Sequence, residues 1–144
     1  PPLDYDLVHA MKREYPHLHI SINGGIASLE QAQEQLSRGL DGVMIGRAAY
    51  HSPSDILLGA DEVIFGAEGR KTAEQVVAEM RPYIAGHLAE GGKLAQVTRH
   101  MLGMFAGRPG ARGWRRVLSE GAHRDGAGLE VLDEALSRVA GVGG

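Results

Sequence analysis

Two glycine turns and one cluster of arginines carry the residue types in this sequence that could hold an anion. Asn23-Gly24-Gly25 follows the short apolar run His19–Ile22, and Gly46-Arg47 follows the run Val43–Ile45. Glycine lets backbone N–H groups come close to an anion, and Arg47 can add positive charge. Between the two runs, Ser28–Arg38 has helix character. Residues Ile20–Tyr50 therefore read as strand, turn, helix, strand, turn, a βαβ unit with both turns at the carboxyl ends of its strands. Ligands of parallel α/β folds bind at that end, and the loops after the last two strands of a (β/α)8 barrel commonly hold phosphate. The same glycines also suit tight turns that bind nothing.

The arginines lie later. Arg112, Arg115 and Arg116 fall within about one helical turn, so Arg112 shares a face with the other two while Trp114 points away. Arg99 and His100 sit on the preceding predicted helix, and Arg108 lies in the loop between. A planar guanidinium binds two phosphate oxygens at once, which suits a nucleic-acid backbone. A solvated helix face, or arginines holding helices together, would give the same pattern. Charge distribution sharpens the question. Residues 1–92 hold 7 Lys/Arg against 13 Asp/Glu, residues 93–124 hold 7 against Glu120 alone, and residues 125–144 hold 1 against 4. A basic block in a chain of net charge −3 suggests an anionic partner.

Other chemistry is thin. The sequence has no cysteine, which removes disulfides, thiolate metal sites and cysteine nucleophiles. His9, His17, His19, His51, His87 and His123 are scattered without metal-ligand spacing, so no metal site is expected. No Ser/His/Asp arrangement or G-x-S-x-G elbow is visible. Asp41 and Asp61 read as turn or solvent-facing acids. There is no run of about 18 apolar residues and no signal peptide, so the expectation is a soluble, cytoplasmic chain with no membrane contact.

The elements that must position these groups follow from periodicity. Pro1-Pro2-Leu3 lacks an initiator methionine and leads into a helix capped by Asp4, with Leu7, Val8, Met11 and Tyr15 as its apolar stripe and Pro16 as its end. Ser28 and Gln31 make a capping box for the next helix, whose apolar side is Leu29, Ala32 and Leu36. Two parallel strands form too small a sheet to stand alone, so the segment reads like the end of a larger barrel that could self-associate through its open sides. Arg47–Tyr50 is expected as a short turn, Ile56–Leu58 as a brief helical turn and Asp61–Arg70 as a linker. Thr72 and Gln75 make a second capping box, opening a helix to about Glu90 that Pro82 should kink or locally break. Further helices are expected over Lys93–Ala106, Ala111–Gly121 and Leu129–Val139, giving a small antiparallel bundle, with a frayed tail at Gly141–Gly144. The fold class is thus α/β plus α, with residues 1–60 as the end of a barrel, 61–71 as a linker and 72–144 as a helical domain.

Four stretches together resemble one family. Ile22–Ile26 (I-N-G-G-I), Asp41–Tyr50 (D-G-V-M-I-G-R-A-A-Y), Thr98–Phe105 (T-R-H-M-L-G-M-F) and Gly110–Ser119 (G-A-R-G-W-R-R-V-L-S) are similar to the A-type tRNA-dihydrouridine synthases, which act at positions 20 and 20a of the D-loop. The glycine turns are common to many flavin barrels; the last two stretches are more specific. The resemblance runs from Pro1 to about Ala140. It implies the last two strands of a flavin mononucleotide (FMN) barrel of (β/α)8 type, followed by a helical tRNA-binding bundle. It places Asn23, Gly24, Gly25, Gly46 and Arg47 at the FMN phosphate. It places Arg112 and Arg115 against tRNA, with Arg99, His100 and Arg116 as further RNA-binding candidates. Enzymes of this family are oxidoreductases that reduce uracil C5–C6 with FMN and NADPH, using a cysteine as acid. That cysteine and the flavin-ring Lys and His lie upstream, so this chain alone should be inactive, with no catalytic residue of its own and weak or absent flavin binding. The competing expectation is a non-catalytic RNA-binding helical module.

Overall fold

The computed structural model describes residues 2–140; Pro1 and the expected fraying of Gly141–Gly144 lie outside the described residues. The chain is mostly helical, with one two-stranded parallel sheet, and it divides into two compact units. One comprises the chain up to Tyr50 together with Asp55–Arg70, and the other His51–Ser54 together with the chain from Lys71 on.

In the first unit, helix α1 (Tyr5–Glu14) starts at Asp4, whose carboxylate accepts the Leu7 N–H at 3.0 Å. Of the expected apolar stripe Val8 does face inward, but the other three members are corrected here. Leu7, Met11 and Tyr15 are 57%, 46% and 43% exposed, and the inward side is made by Tyr5, Val8 and His9. His9 can face inward because its ring Nε2 meets the Gln35 side-chain oxygen at 2.7 Å, so the buried polar group is satisfied. Removing that partner would leave a buried polar group bare, at about 1–3 kcal/mol. The strands are β1 (Ser21–Asn23) and β2 (Gly42–Met44), parallel, with Ser21 opposite Gly42, Ile22 opposite Val43 and Asn23 opposite Met44. Strand β1 is shorter than its predicted run and ends one residue later, whereas β2 keeps the predicted length and begins one residue earlier. Fully buried Ile22 centres a cluster with Ile26, Ala32 and Leu40, against which Val8, Ile20, Val43 and Ile45 pack.

Helix α2 (Leu29–Ser37) crosses between the strands. Ser28 Oγ accepts the Gln31 N–H at 3.1 Å as expected, but Gln31 Oε1 reaches back one residue further, to the Ala27 N–H at 2.8 Å. Lys12 fastens the C-terminal end of α1: its ammonium donates to the Leu18 carbonyl at 2.7 Å and pairs with Asp41 at 2.6 Å. Asp41 in turn accepts the Ile20 N–H at 2.9 Å, so this acid does more than solvate a turn. Helix α3 (Arg47–His51) is short, and α4 (Pro53–Phe65) is a 13-residue helix. The predicted turn at Ile56–Leu58 and linker from Asp61 are therefore corrected; irregular chain begins at Gly66. Pro53 sits at the first helical position, where proline is favoured. Gly59, which reads as a breaker, is buried under Arg70, whose Nε donates to the Leu58 carbonyl at 3.3 Å.

The second unit contains α5 (Ala73–Ala89), α6 (Leu94–Thr98), α7 (Ala111–Gly121) and α8 (Leu129–Ala140). Thr72 and Gln75 form the reciprocal capping box, and α5 runs unbroken through Pro82. Helix α8 packs on both α7 and α5, and α6 on both α5 and α7. The predicted helix over Lys93–Ala106 is corrected to five residues followed by successive tight turns to Gly110. Three donors and one clash explain it. Trp114 Nε1 donates to the Met101 carbonyl at 3.0 Å, and the Ser54 hydroxyl donates to the Met104 carbonyl. The Met104 N–H bonds three residues back, to Met101. A side chain at Gly103 would lie 2.3 Å from the His51 carbonyl, so the backbone there is pressed against its neighbour. The core is Phe105 against Trp114, edge to face with centroids 4.8 Å apart, with Val77, Ile84, Leu94, Leu118 and Leu132 buried around them.

Candidate functional site

Because Asn23 pairs with Met44 in a parallel ladder, the turns that leave β1 and β2 emerge at the same edge of the sheet. Gly24 and Gly25 have φ of 121° and 67°, a region that favours glycine. Leu3 packs on both, with a methyl carbon 2.7 Å from where a Gly24 Cβ would sit, and the Tyr5 hydroxyl donates to the Gly24 carbonyl. Intramolecular packing thus accounts for these two glycines. Gly46 differs. Its φ is not positive, and a Cβ would meet only Met44 side-chain atoms at ordinary contact distance of 3.6 Å. Among the described residues no contact demands glycine there. Arg47 follows as the exposed first residue of α3. The parallel ladder thus brings the turn after Asn23 and the turn carrying Gly46 and Arg47 to one edge of the sheet.

The arginines of the basic block sort into two kinds. Arg108 is an internal strut: its guanidinium lies 2.5 Å from the Glu74 carboxylate and 5.1 Å from the centre of the Phe105 ring. The hydrogen bond from Arg108 holds the Glu74 carboxyl below its usual range, against the opposing pull of burial. Arg116 pairs with Glu120 at 3.1 Å; outside the block, Arg138 pairs with Glu134 at 3.0 Å and Arg81 with Asp133. Arg99 Nε donates to His100 Nε2 at 3.0 Å, and both side chains are exposed. Arg112, Arg115 and Arg124 are exposed with no hydrogen-bond or ion-pair partner among the described residues, and of these Arg112 and Arg115 lie one turn apart on α7, on the side away from buried Trp114. The i, i+4 pairing of Arg116 with Glu120 was readable from spacing, whereas the Arg108–Glu74 pair spans 34 positions and was not.

An open groove of about 610 Å³ runs between α7 and α8. Its charged lining is Arg116, Arg124 and Arg138 against Glu120, Asp125, Glu130 and Glu134, a mixture with no bias toward an anion. Among the described residues no group of His or acid side chains could hold a metal ion, and no helix is long and apolar enough to cross a membrane.

The family model for dihydrouridine synthase (Dus) matches residues 1–140. The tRNA-dihydrouridine(20/20a) synthase of Shewanella oneidensis is 55% identical over 140 residues, covering 96% of this chain and 41% of the relative. That of Salmonella typhi is 55% identical over 141 residues, covering 97% and 42%, and that of Escherichia coli K12 is 52% identical over 141 residues, covering 97% and 40%. The chain spans about two fifths of the length of these curated relatives. It belongs to the dihydrouridine synthase family.

Proposed function

We propose that these residues are the carboxyl-terminal portion of an A-type tRNA-dihydrouridine synthase, an oxidoreductase that reduces uridine at positions 20 and 20a of the tRNA D-loop with FMN and NADPH. Residues 1–60 supply the last two strands of a (β/α)8 FMN barrel, 61–71 lead out of it, and 72–144 dock tRNA. The first five residues of that connection continue α4. Asn23, Gly24, Gly25, Gly46 and Arg47 hold the FMN phosphate through backbone N–H groups and one guanidinium. The flavin supplies the electron pair for reduction of uracil C5–C6. The chain has no cysteine, so the acid that family members use for protonation is not among these residues, and the chain alone does not turn over.

The observation that carries the tRNA assignment is the pair of unpartnered guanidiniums on α7. Paired arginines have their charge met within the protein; Arg112 and Arg115 do not, and one helical turn lets both reach a single stretch of backbone. Arg116, Arg99 and His100 flank them as secondary contacts. The relatives are tRNA-dihydrouridine(20/20a) synthases, which supports tRNA as the partner. A fluorescence-anisotropy titration with a tRNA transcript at two salt concentrations tests this. Each phosphate contact contributes a slope of roughly −0.9 in log K against log salt. Replacing Arg112 and Arg115 by Ala should flatten the slope by about two contacts. An unchanged slope would make these arginines solvent decoration and defeat the assignment.

A further inference from the structure

The exposed row on α7 does not stop at the arginines. Ser119 lies four residues after Arg115, and His123 four after Ser119, spacings that keep side chains in one row. His123 lies just past the end of α7, but Ala122 before it still has right-handed helical dihedrals, φ −69° and ψ −17°. Ser119 and His123 are both exposed. From the neighbouring α6 side, Arg99 edges the same shallow pocket of about 40 Å³, whose lining includes Leu102 and Leu118. That volume suits little more than one water-sized group, so it admits a single oxygen and no base. Thr98 also lines the pocket, but its hydroxyl already donates to the Leu94 carbonyl at 3.2 Å. The available groups are a guanidinium, a hydroxyl and an imidazole, the donor set of a phosphate site. Glu120, the acid of this face, is engaged by Arg116.

We propose that the RNA-binding face continues from Arg112 and Arg115 through Ser119 to a second phosphate subsite formed by Arg99, Ser119 and His123. The row from Arg112 to His123 is about 16 Å long at the helical rise, enough to follow several phosphates of one strand. This rests on the tRNA-docking reading above and extends it to two residues, Ser119 and His123, that are not among the RNA-binding candidates implied by the resemblance.

The test is anisotropy with the full chain and a tRNA transcript at 50 and 200 mM salt. One phosphate contact changes the affinity lost over that range by roughly three- to fourfold. Arg99→Gln should reduce the loss by about that factor. His123→Lys, which adds a fixed charge, should increase it by a similar factor. Lys71→Gln, an equal change of net charge away from this face, should do neither. All three positions are exposed, and circular dichroism checks that the variants fold. If Arg112→Ala/Arg115→Ala flattens the slope while Arg99→Gln and His123→Lys leave it at the parent value, the second subsite is wrong and the docking reading survives. If none of the variants moves the slope, both are wrong.

Discussion

Replacing Trp114 by Phe should destabilise the helical unit by about 2–4 kcal/mol, and the structure shows where that comes from. The indole is fully buried and donates to the Met101 carbonyl at 3.0 Å. Phenylalanine cannot donate. The carbonyl keeps a second partner, the Met104 N–H at 3.1 Å, so the lost hydrogen bond belongs at the low end of its range, about 1 kcal/mol. The smaller ring also leaves a void at the centre of the core, adding about 1–3 kcal/mol as the surroundings close in only partly. The edge-to-face contact with Phe105 can survive in part, so the total should stay below the 3–5 kcal/mol typical of Trp→Ala. Urea unfolding followed by circular dichroism measures it, since Trp114 is the one tryptophan and its fluorescence is lost in the variant. A midpoint unchanged within error would refute both the hydrogen bond and the packing that shape residues 99–110.

Three other outcomes follow. Lys12 and the Ile20 N–H hold the Asp41 carboxyl below its ordinary value of 3.8, so its stabilisation is present above that value and lost as pH falls through the lowered one. The gap in urea midpoint between the parent and Asp41→Asn should therefore be open at pH 6 and close below pH 3.8; a gap independent of pH would show that the Lys12 pair contributes nothing. The exposed Leu7, Met11 and Tyr15 stripe and the two-stranded sheet should drive self-association, seen by sedimentation and reduced by Leu7→Glu/Met11→Glu, while a monomer at all concentrations would contradict it. The purified chain should be colourless, and added FMN should bind weakly while shifting the amide signals of Gly24, Gly25 and Gly46; tight stoichiometric FMN would mean the flavin site is already complete.

What could be read from residues was local. Helix α7 lies over its predicted span because Trp114, Val117 and Leu118 mark its inner side and Pro109-Gly110 its start, and α5 begins where the Thr72–Gln75 box requires. The parallel βαβ unit was legible because glycine turns bound both apolar runs. What failed depended on partners distant in sequence. Gly59 reads as a helix breaker until Arg70 is seen lying on it, and residues 99–110 leave the helix because Trp114 and Ser54 take their carbonyls. Apolar periodicity chose Leu7, Met11 and Tyr15 for the inner side of α1, because it could not foresee Gln35 waiting for His9. At the candidate RNA face, spacing gathered the arginines but could not sort them. That Arg108 is spent depends on Glu74, carried by another helix and 34 positions away.

Arginine footprinting by mass spectrometry tests the central claim most directly. The chain is treated with an arginine-selective dicarbonyl reagent with and without tRNA, and the modified sites are counted. The account predicts that tRNA protects Arg112 and Arg115 most strongly and leaves Arg13 and Arg38 as reactive as before. Uniform protection of all four, or protection that spares Arg112 and Arg115, would contradict it.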